Sequence, residues 1–308
     1  MNAAQAQRVI ESLRKGIPPD GFVRRFTVGR KSEIKELKLQ LKNITTPVLL
    51  LKANYGSGKT HLLRFIREEA LIQNYAVSIV TLDANSAVRF NRMDQIFGAI
   101  CRNIEIPNRP EMKGIGFFFD FLVENINQQK ENLFWNQLAN SGKWDFSEKL
   151  DSPALFVALR AWATGNTDAK YLIEDWLYQP SIYHVQRKKL YDSLVCGLRK
   201  YFRDPRSDKQ FYLDQVFIFN NQEYQQSWAA LRDIDSLSRA AGLKGTIILF
   251  DEFEALVYFI NNLNMVGTWL WYHCNTDHWN TISLKNSAYV LRSQFGPSYI
   301  FKAYYLVT

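Results

Sequence analysis

The feature that most constrains this chain is a glycine-rich turn between an apolar run and an amphipathic run. Residues 46–66 read TPVLLLKANYGSGKTHLLRFI, so the turn closes at Lys59 and Thr60. This order of strand, glycine loop and helix is typical of a P-loop, which binds phosphate. Glycine allows consecutive N–H groups to turn inward around an anion, and the positive end of the following helix points at the same place. The sequence therefore predicts an α/β nucleotide site.

The residues of this loop have separate expected roles. Lys59 can reach the β- and γ-phosphates as a mobile point charge, and we predict it to be catalytic. The Thr60 hydroxyl can ligate Mg²⁺. Ala53 stands where the motif usually begins with glycine, and an ordinary glycine-rich turn before a helix is the disfavoured alternative. The predicted nucleotide-binding residues are Asn54, Tyr55, Gly56, Ser57, Gly58, Lys59, Thr60 and His61.

A second motif follows an apolar run much later in the chain. Residues 245–254 read GTIILFDEFE, and a buried strand that ends in two acids is the pattern of a Walker B element. We expect Asp251 to hold the metal ion and Glu252 to orient or deprotonate the attacking water. Four apolar residues before two acids are common by chance, but the upstream glycine loop favours this interpretation.

The chain between these motifs is predicted to be mainly helical. The β-rich residues 75–82 read as a second buried parallel strand, and helical patterns cover 116–126, 153–163 and 167–177. The predicted fold is a P-loop NTPase of AAA+-like type, with a parallel sheet and a large helical insertion before the Walker B strand. We expect a lead-in segment at 1–42, a first core part at 43–94, the insertion at 95–240 and a second core part at 241–308.

The amino-acid composition argues against a membrane-spanning or secreted protein. The chain of 308 residues has 47% hydrophobic and 22% charged residues and no apolar run that would span a membrane. Three scattered cysteines and an N-terminus without an apolar signal core favour the cytoplasm. The net charge of +8 permits contact with DNA, but the basic tract at 187–209 fits an amphipathic helix with a solvated face slightly better. His273, Cys274 and His278 lack a second ligand pair, so no metal site is expected there.

Several phrases resemble known families. VGRKSE at 28–33 is similar to the segment that AAA+ and STAND-type ATPases place beside adenine, although Ser32 could simply cap a helix. AVRFNRMDQI at 87–96, DSPALFVALRAWATG at 151–165, IEDWLYQ at 173–179 and the residues around both motifs resemble the ATP-binding proteins of BREX phage-defence systems, BrxD-type in particular. The resemblance covers about 20–260 and weakens after 261, where the C-terminus looks truncated or altered.

The resemblance implies an ATPase that uses ATP and Mg²⁺ and acts with helicase-like or other BREX proteins, and with DNA. A homo-oligomer is a further expectation, and no guanine-specific motif is apparent. The alternative is a regulatory scaffold that binds nucleotide without hydrolysis and switches its partners by occupancy. A sequence-specific DNA-binding module is the least favoured hypothesis, because no reading helix or zinc-finger spacing is present.

Overall fold

The fold is mixed α/β, as the sequence predicted. The computed structural model describes residues 1–42, 48–52, 56–82, 88, 93–109, 112–128, 150–163, 166–178, 225–251, 280–284, 288–292 and 302–307. The helices in these ranges are α1 (Ala3–Arg14), α2 (Val23–Phe26), α3 (Lys31–Lys42), α4 (Lys59–Ile72), α5 (Met93–Asn103), α6 (Ile115–Gln128), α7 (Pro153–Trp162), α8 (Thr167–Tyr178) and α9 (Gln225–Ala240). The strands are β1 (Val48–Lys52), β2 (Ala76–Thr81), β3 (Ile104–Glu105), β4 (Thr246–Asp251), β5 (Asn280–Leu284), β6 (Ala288–Arg292) and β7 (Lys302–Val307).

The chain divides into two units. The first unit contains residues 1–86, 106–111 and 246–308, and the second contains residues 87–105 and 112–245. The glycine loop and the strand that ends at Asp251 therefore belong to the same unit. The second unit carries five of the described helices, α5 to α9.

The sheet of the first unit is parallel on one side and antiparallel on the other. Its strands are ordered β2-β4-β7-β1-β6-β5. β2, β4, β7 and β1 run parallel to one another, while β6 is antiparallel to both β1 and β5. Thr81 pairs with Asp251 and Lys52 pairs with Val307, so strand ends align at the carboxyl edge of the parallel part. Ligands of open α/β sheets bind at such an edge.

Helix α4 connects the glycine loop to the core. Leu62, Leu63 and Ile66 recur at helical spacing and are buried against Val77 of β2 and Leu249 of β4. Leu37 and Leu41 of α3 cover the same cluster. The helix ends because Asn74 adopts a left-handed φ of 70°, and the Tyr75 N–H then donates to the Ala70 carbonyl at 3.0 Å. The apolar face of α4 therefore holds the loop at a fixed place on the sheet.

The helices of the second unit share an apolar core. α8 packs against α5, α6 and α7, and α9 packs against α5 and α7. The Ser152 hydroxyl caps α7 by accepting from the Leu155 N–H at 3.3 Å, and Pro153 occupies the first turn. Asn166 caps α8 in the same way through the Ala169 N–H at 3.2 Å. The buried residues include Phe97, Ile100, Phe118, Phe119, Leu122, Leu155, Leu159, Ile173, Trp176 and Leu177.

Local sequence patterns predicted many of these elements, with some errors. The apolar run before the glycine turn and the strand predicted at 75–82 correspond to β1 and β2. The helices predicted at 116–126, 153–163 and 167–177 correspond to α6, α7 and α8. The suggestion that Ser32 caps α3 is wrong, because α3 begins at Lys31 and the Ile34 N–H donates to the Arg30 carbonyl. The short helix α2 and the β5–β6 hairpin were not predicted.

Candidate functional site

The described part of the glycine loop, residues 56–58, has a left-handed backbone at both of its glycines. Gly56 has φ +75° and Gly58 has φ +81°, a left-handed conformation that side chains with a Cβ rarely adopt. Gly58 precedes the first residue of α4, and its carbonyl accepts from the Leu62 N–H at 3.0 Å. Lys59 and Thr60 therefore begin the helix. Asn54 and Tyr55 lie outside the described residues.

Two residues from distant parts of the chain meet beside this loop. The Thr60 hydroxyl donates to Oδ1 of Asp251 at 3.3 Å. Thr60 is in the first turn of α4, and Asp251 is the last residue of β4. Asp251 is buried, so its carboxylate faces the protein rather than bulk water. Glu252 lies outside the described residues, so its predicted role stays a prediction.

Ser57 places a polar atom inside the loop. Its hydroxyl oxygen is buried and, among the described residues, has no hydrogen-bond partner. A buried hydroxyl without a partner costs free energy, because it has lost its water and gained nothing in return. A ligand with acceptor atoms would satisfy this hydroxyl. The Ser57 hydroxyl is therefore a candidate donor to a bound anion.

The segment before α3 contacts the loop from another side, and sequence reasoning did not foresee these contacts. The Arg30 guanidinium donates to the Ser57 carbonyl through Nη2. The Thr27 hydroxyl lies 2.8 Å from Nε2 of His61. Burial, and then the charge of Arg30, lower the pKa of His61 below its ordinary value. The VGR phrase was the available signal, because it placed Arg30 near a nucleotide site without naming its partner.

The same segment also contacts α4 beyond its first turn, at Arg67 and Glu68. The Glu68 carboxylate accepts from the N–H groups of Val23 at 2.8 Å and Arg24 at 3.1 Å. Burial raises the pKa of this carboxyl, although both N–H groups oppose the shift. Arg67 pairs with Asp20 at 2.6 Å. These contacts order the segment beside the loop.

Two other segments considered in the sequence analysis are not tested by this arrangement. The basic tract at 187–209 lies outside the described residues, as do His273, Cys274 and His278, where no metal site was expected. Within the described ranges, no three His, Cys, Asp or Glu side chains come together as a metal cluster would. No helix in the described part of the chain is long and apolar enough to cross a membrane.

The comparisons with known proteins give one match. Residues 1–148 match the family model described as BREX system ATP-binding protein BrxC/D. The match includes the glycine loop and β2 but not β4, and the model treats BrxC and BrxD together. No curated protein and no solved structure matches the chain. The chain is therefore similar, over residues 1–148 of its 308, to the BREX system ATP-binding proteins BrxC/D.

Proposed function

We propose that this protein binds and hydrolyses ATP as an AAA+-like P-loop ATPase in a BREX defence system. The observation that carries the proposal is the 3.3 Å contact between the Thr60 hydroxyl and Asp251, at the end of the glycine loop. A serine or threonine that follows the P-loop lysine and an aspartate at a strand end are the pair that holds Mg²⁺ in P-loop enzymes. The match of residues 1–148 to a family described as ATP-binding supports nucleotide binding.

The described residues fit a magnesium-bound triphosphate. Mg²⁺ prefers hard oxygen ligands, and Thr60 and Asp251 offer a hydroxyl and a carboxylate to the same small volume. Gly56 and Gly58 leave the loop open to an anion, and the buried Ser57 hydroxyl lacks a protein partner in the described residues. When bound, the metal ion neutralises charge that develops on the phosphates. Lys59 would add a cation at the transferred phosphate, and Asn54, Tyr55 and His61 would complete the binding set.

Hydrolysis requires a group that acts on water. Glu252 directly follows Asp251 in the sequence, and Asp251 ends β4. We assign it the role of orienting the attacking water or accepting its proton. β7 lies between β4 and β1 in the sheet and runs parallel to both, which supports the P-loop assignment.

The helical part of the chain would provide contacts with partners. We propose that residues 95–240 are an insertion in the nucleotide domain and that they contact DNA, other BREX proteins or a second copy of this chain. The net charge of +8 supports an interaction with DNA through the phosphate backbone.

A phosphate-release assay tests the proposal. We expect Glu252→Gln to lower the rate by about 100-fold or more, since general base catalysis contributes that much. Glu11→Gln is the matched control, because Glu11 is an exposed carboxylate on α1. Equal rates for wild type and Glu252→Gln would remove Glu252 from the mechanism. ATP binding that depends on Lys59 without any phosphate release would instead favour the non-hydrolysing scaffold.

A second arm of the assay addresses DNA. We expect duplex DNA to increase phosphate release, with the increase declining as salt rises, since the attraction is electrostatic. A rate that DNA does not change would leave partner proteins as the remaining candidates for the helical part.

A further inference from the structure

We propose that Arg30 and Thr27 are positioning residues that set the direction of the N–H groups in the phosphate-binding loop without touching the nucleotide. Both lie in residues 18–30, which we call the strap. The proposal rests on the proposed function, since it assumes that the glycine loop binds phosphate. It assigns to the strap the task of holding the loop in its binding conformation.

The first part of the argument is the geometry of one peptide unit. Arg30 donates to the carbonyl oxygen of Ser57, which belongs to the peptide bond that also carries the Gly58 N–H. The described chain contains no cis peptide bond, and a planar trans peptide points its C=O and N–H in opposite directions. By holding the carbonyl, Arg30 therefore directs the Gly58 N–H away from itself. The guanidinium lies on the carbonyl side of this peptide, and the N–H on the opposite side is left to bind an anion.

The contact with Arg30 matters because the backbone of a glycine does not by itself fix the orientation of the preceding peptide group. Gly58 has φ +81° here, but glycine populates positive and negative φ about equally, so the peptide on its N-terminal side is free to reorient. A bond to a charged donor restricts that freedom. It also polarises the peptide group, which strengthens the N–H as a donor to phosphate.

The second part of the argument concerns Thr27 and His61. The Thr27 hydroxyl lies 2.7 Å from the Val23 carbonyl, which can only accept a hydrogen bond. The hydroxyl has one hydrogen, which it donates to Val23, so at 2.8 Å it accepts from Nε2–H of His61. This assignment fixes the ring tautomer. It also attaches the first turn of α4, which carries Lys59 and Thr60, to the strap.

The strap is itself held against α4 by several contacts. Its contacts with Ser57 and His61 are therefore made from an ordered backbone. Glu68 accepts from the first N–H groups of α2, and Arg67 pairs with Asp20. Arg64 donates to the Pro18 carbonyl at 2.6 Å. The backbone of Arg30 is also held in place, because its carbonyl accepts a hydrogen bond from the Ile34 N–H at the start of α3, at 3.0 Å. Arg30 therefore approaches the loop from a backbone that is fixed at both ends.

A residue that positions the loop and a residue that contacts the adenine base affect the affinities of different ligands. A residue that touches adenine affects ATP but not a phosphate chain without a base. A residue that orders the loop affects every ligand that uses the loop. Tripolyphosphate, which has no base or sugar, separates the two roles.

The experiment measures binding of MgATP and of tripolyphosphate to the full chain by calorimetry, with thermal melting as a check on folding. We expect Arg30→Gln to weaken both ligands by about tenfold, the loss typical of a hydrogen bond from a charged donor. Arg30→Lys, which keeps the charge and a donor, should recover at least half of that loss on a logarithmic scale. Lys31→Gln is the matched control, since Lys31 is the exposed neighbouring cation, and it should bind both ligands like wild type.

The outcomes separate the inference from the proposed function. Failure of wild type to bind either ligand, or equal binding by Lys59→Ala, would remove the proposed function. If wild type binds and Arg30→Gln binds tripolyphosphate equally well, only the strap proposal is overturned. A loss for ATP alone also overturns it, because that result identifies a base contact. Should Arg30→Gln not fold, Thr27→Val decides: we expect both ligands to weaken about threefold, and unchanged affinities contradict the proposal.

Discussion

The Thr60 hydroxyl lies 3.3 Å from Oδ1 of Asp251, although 191 positions separate the two residues in the chain. The contact forms because α4 packs against the sheet through its apolar face. This packing brings the first turn of α4 beside the last residue of β4. A threonine at the start of a helix and a buried aspartate at a strand end have little reason to meet in an ordinary core. Their meeting beside a loop with two left-handed glycines supports a metal-dependent phosphate site.

Replacing Thr60 should remove the effect of Mg²⁺ on nucleotide affinity. Thr60→Val keeps the shape of the side chain but removes the hydroxyl that faces Asp251. We expect wild type to bind ATP at least about tenfold more tightly with Mg²⁺ than with EDTA, and the variant to lose most of this difference. Titration of ATP with and without Mg²⁺ measures it. Thr167→Val, at the exposed start of α8, should retain the wild-type difference, and a variant that also retains it contradicts the assignment.

The left-handed glycine of the loop should matter for binding beyond its effect on stability. Gly58→Ala forces a Cβ into φ +81° and brings it to 3.2 Å from Nη2 of Arg30. Gly242→Ala meets φ +88° with nothing within 4 Å, so it measures the backbone strain alone. Both changes should destabilise the protein by about 1–2 kcal/mol in urea unfolding.

Only Gly58→Ala should also weaken MgATP binding, because the added group disturbs the contact between Arg30 and the loop. The same affinity in both glycine variants would show that the loop tolerates this displacement. The comparison therefore separates a local effect on the site from a general loss of stability.

The sequence was sufficient to predict the elements that bear the motifs, because their information is local. An apolar run, a glycine loop and a helical pattern are contiguous in residues 46–66, and each constrains its neighbours. The strand that ends at Asp251 was equally clear from its unbroken apolar run. The predicted α/β class followed from these segments.

Contacts between distant segments could not be predicted in the same way. Arg67 and Glu68 lie in a helix and look like ordinary solvated charges, yet both are buried. Their burial follows from the strap, whose backbone N–H groups and Asp20 satisfy them. Strand order is another example, since β7 follows β6 in sequence but lies between β1 and β4. Which acceptor meets which donor depends on the tertiary fold, and a single sequence does not specify it.

A glycine in the second unit should prove essential for helix packing. A Cβ at Gly116 would lie 2.9 Å from Cη2 of Trp162 and would also collide with the Glu174 carboxylate. Trp162 is buried and packs edge-on against Phe119 with ring centroids 5.5 Å apart, so the ring has little room to move. We expect Gly116→Ala to destabilise the protein by about 1–3 kcal/mol in urea unfolding. Stability equal to that of wild type would mean that α6 can shift away from α8 without cost.

Asp233 should make stability depend on pH near neutrality. Its carboxylate accepts from the N–H groups of Asp151 at 2.9 Å and Ser152 at 2.7 Å, just before α7. Burial raises the pKa of Asp233 from 3.8 to about 7, with Asp151 adding to the rise and Arg232 opposing it. The folded state thus holds a proton that the unfolded state releases. The free energy of unfolding should fall as pH rises between these two values, by at most about 1.4 kcal/mol per pH unit.

Urea unfolding at pH 5, 6 and 7 tests this dependence, with circular dichroism as the probe. Asp233→Asn cannot ionise, so the stability difference between wild type and this variant should change in favour of the variant as pH rises. Asp168→Asn, in the exposed first turn of α8, removes a carboxylate without affecting the contacts of Asp233 and should leave the wild-type slope unchanged. If the curves of wild type and Asp233→Asn run parallel over this range, the Asp233 carboxylate is ionised throughout. In that case the two N–H donors outweigh the cost of burying its charge.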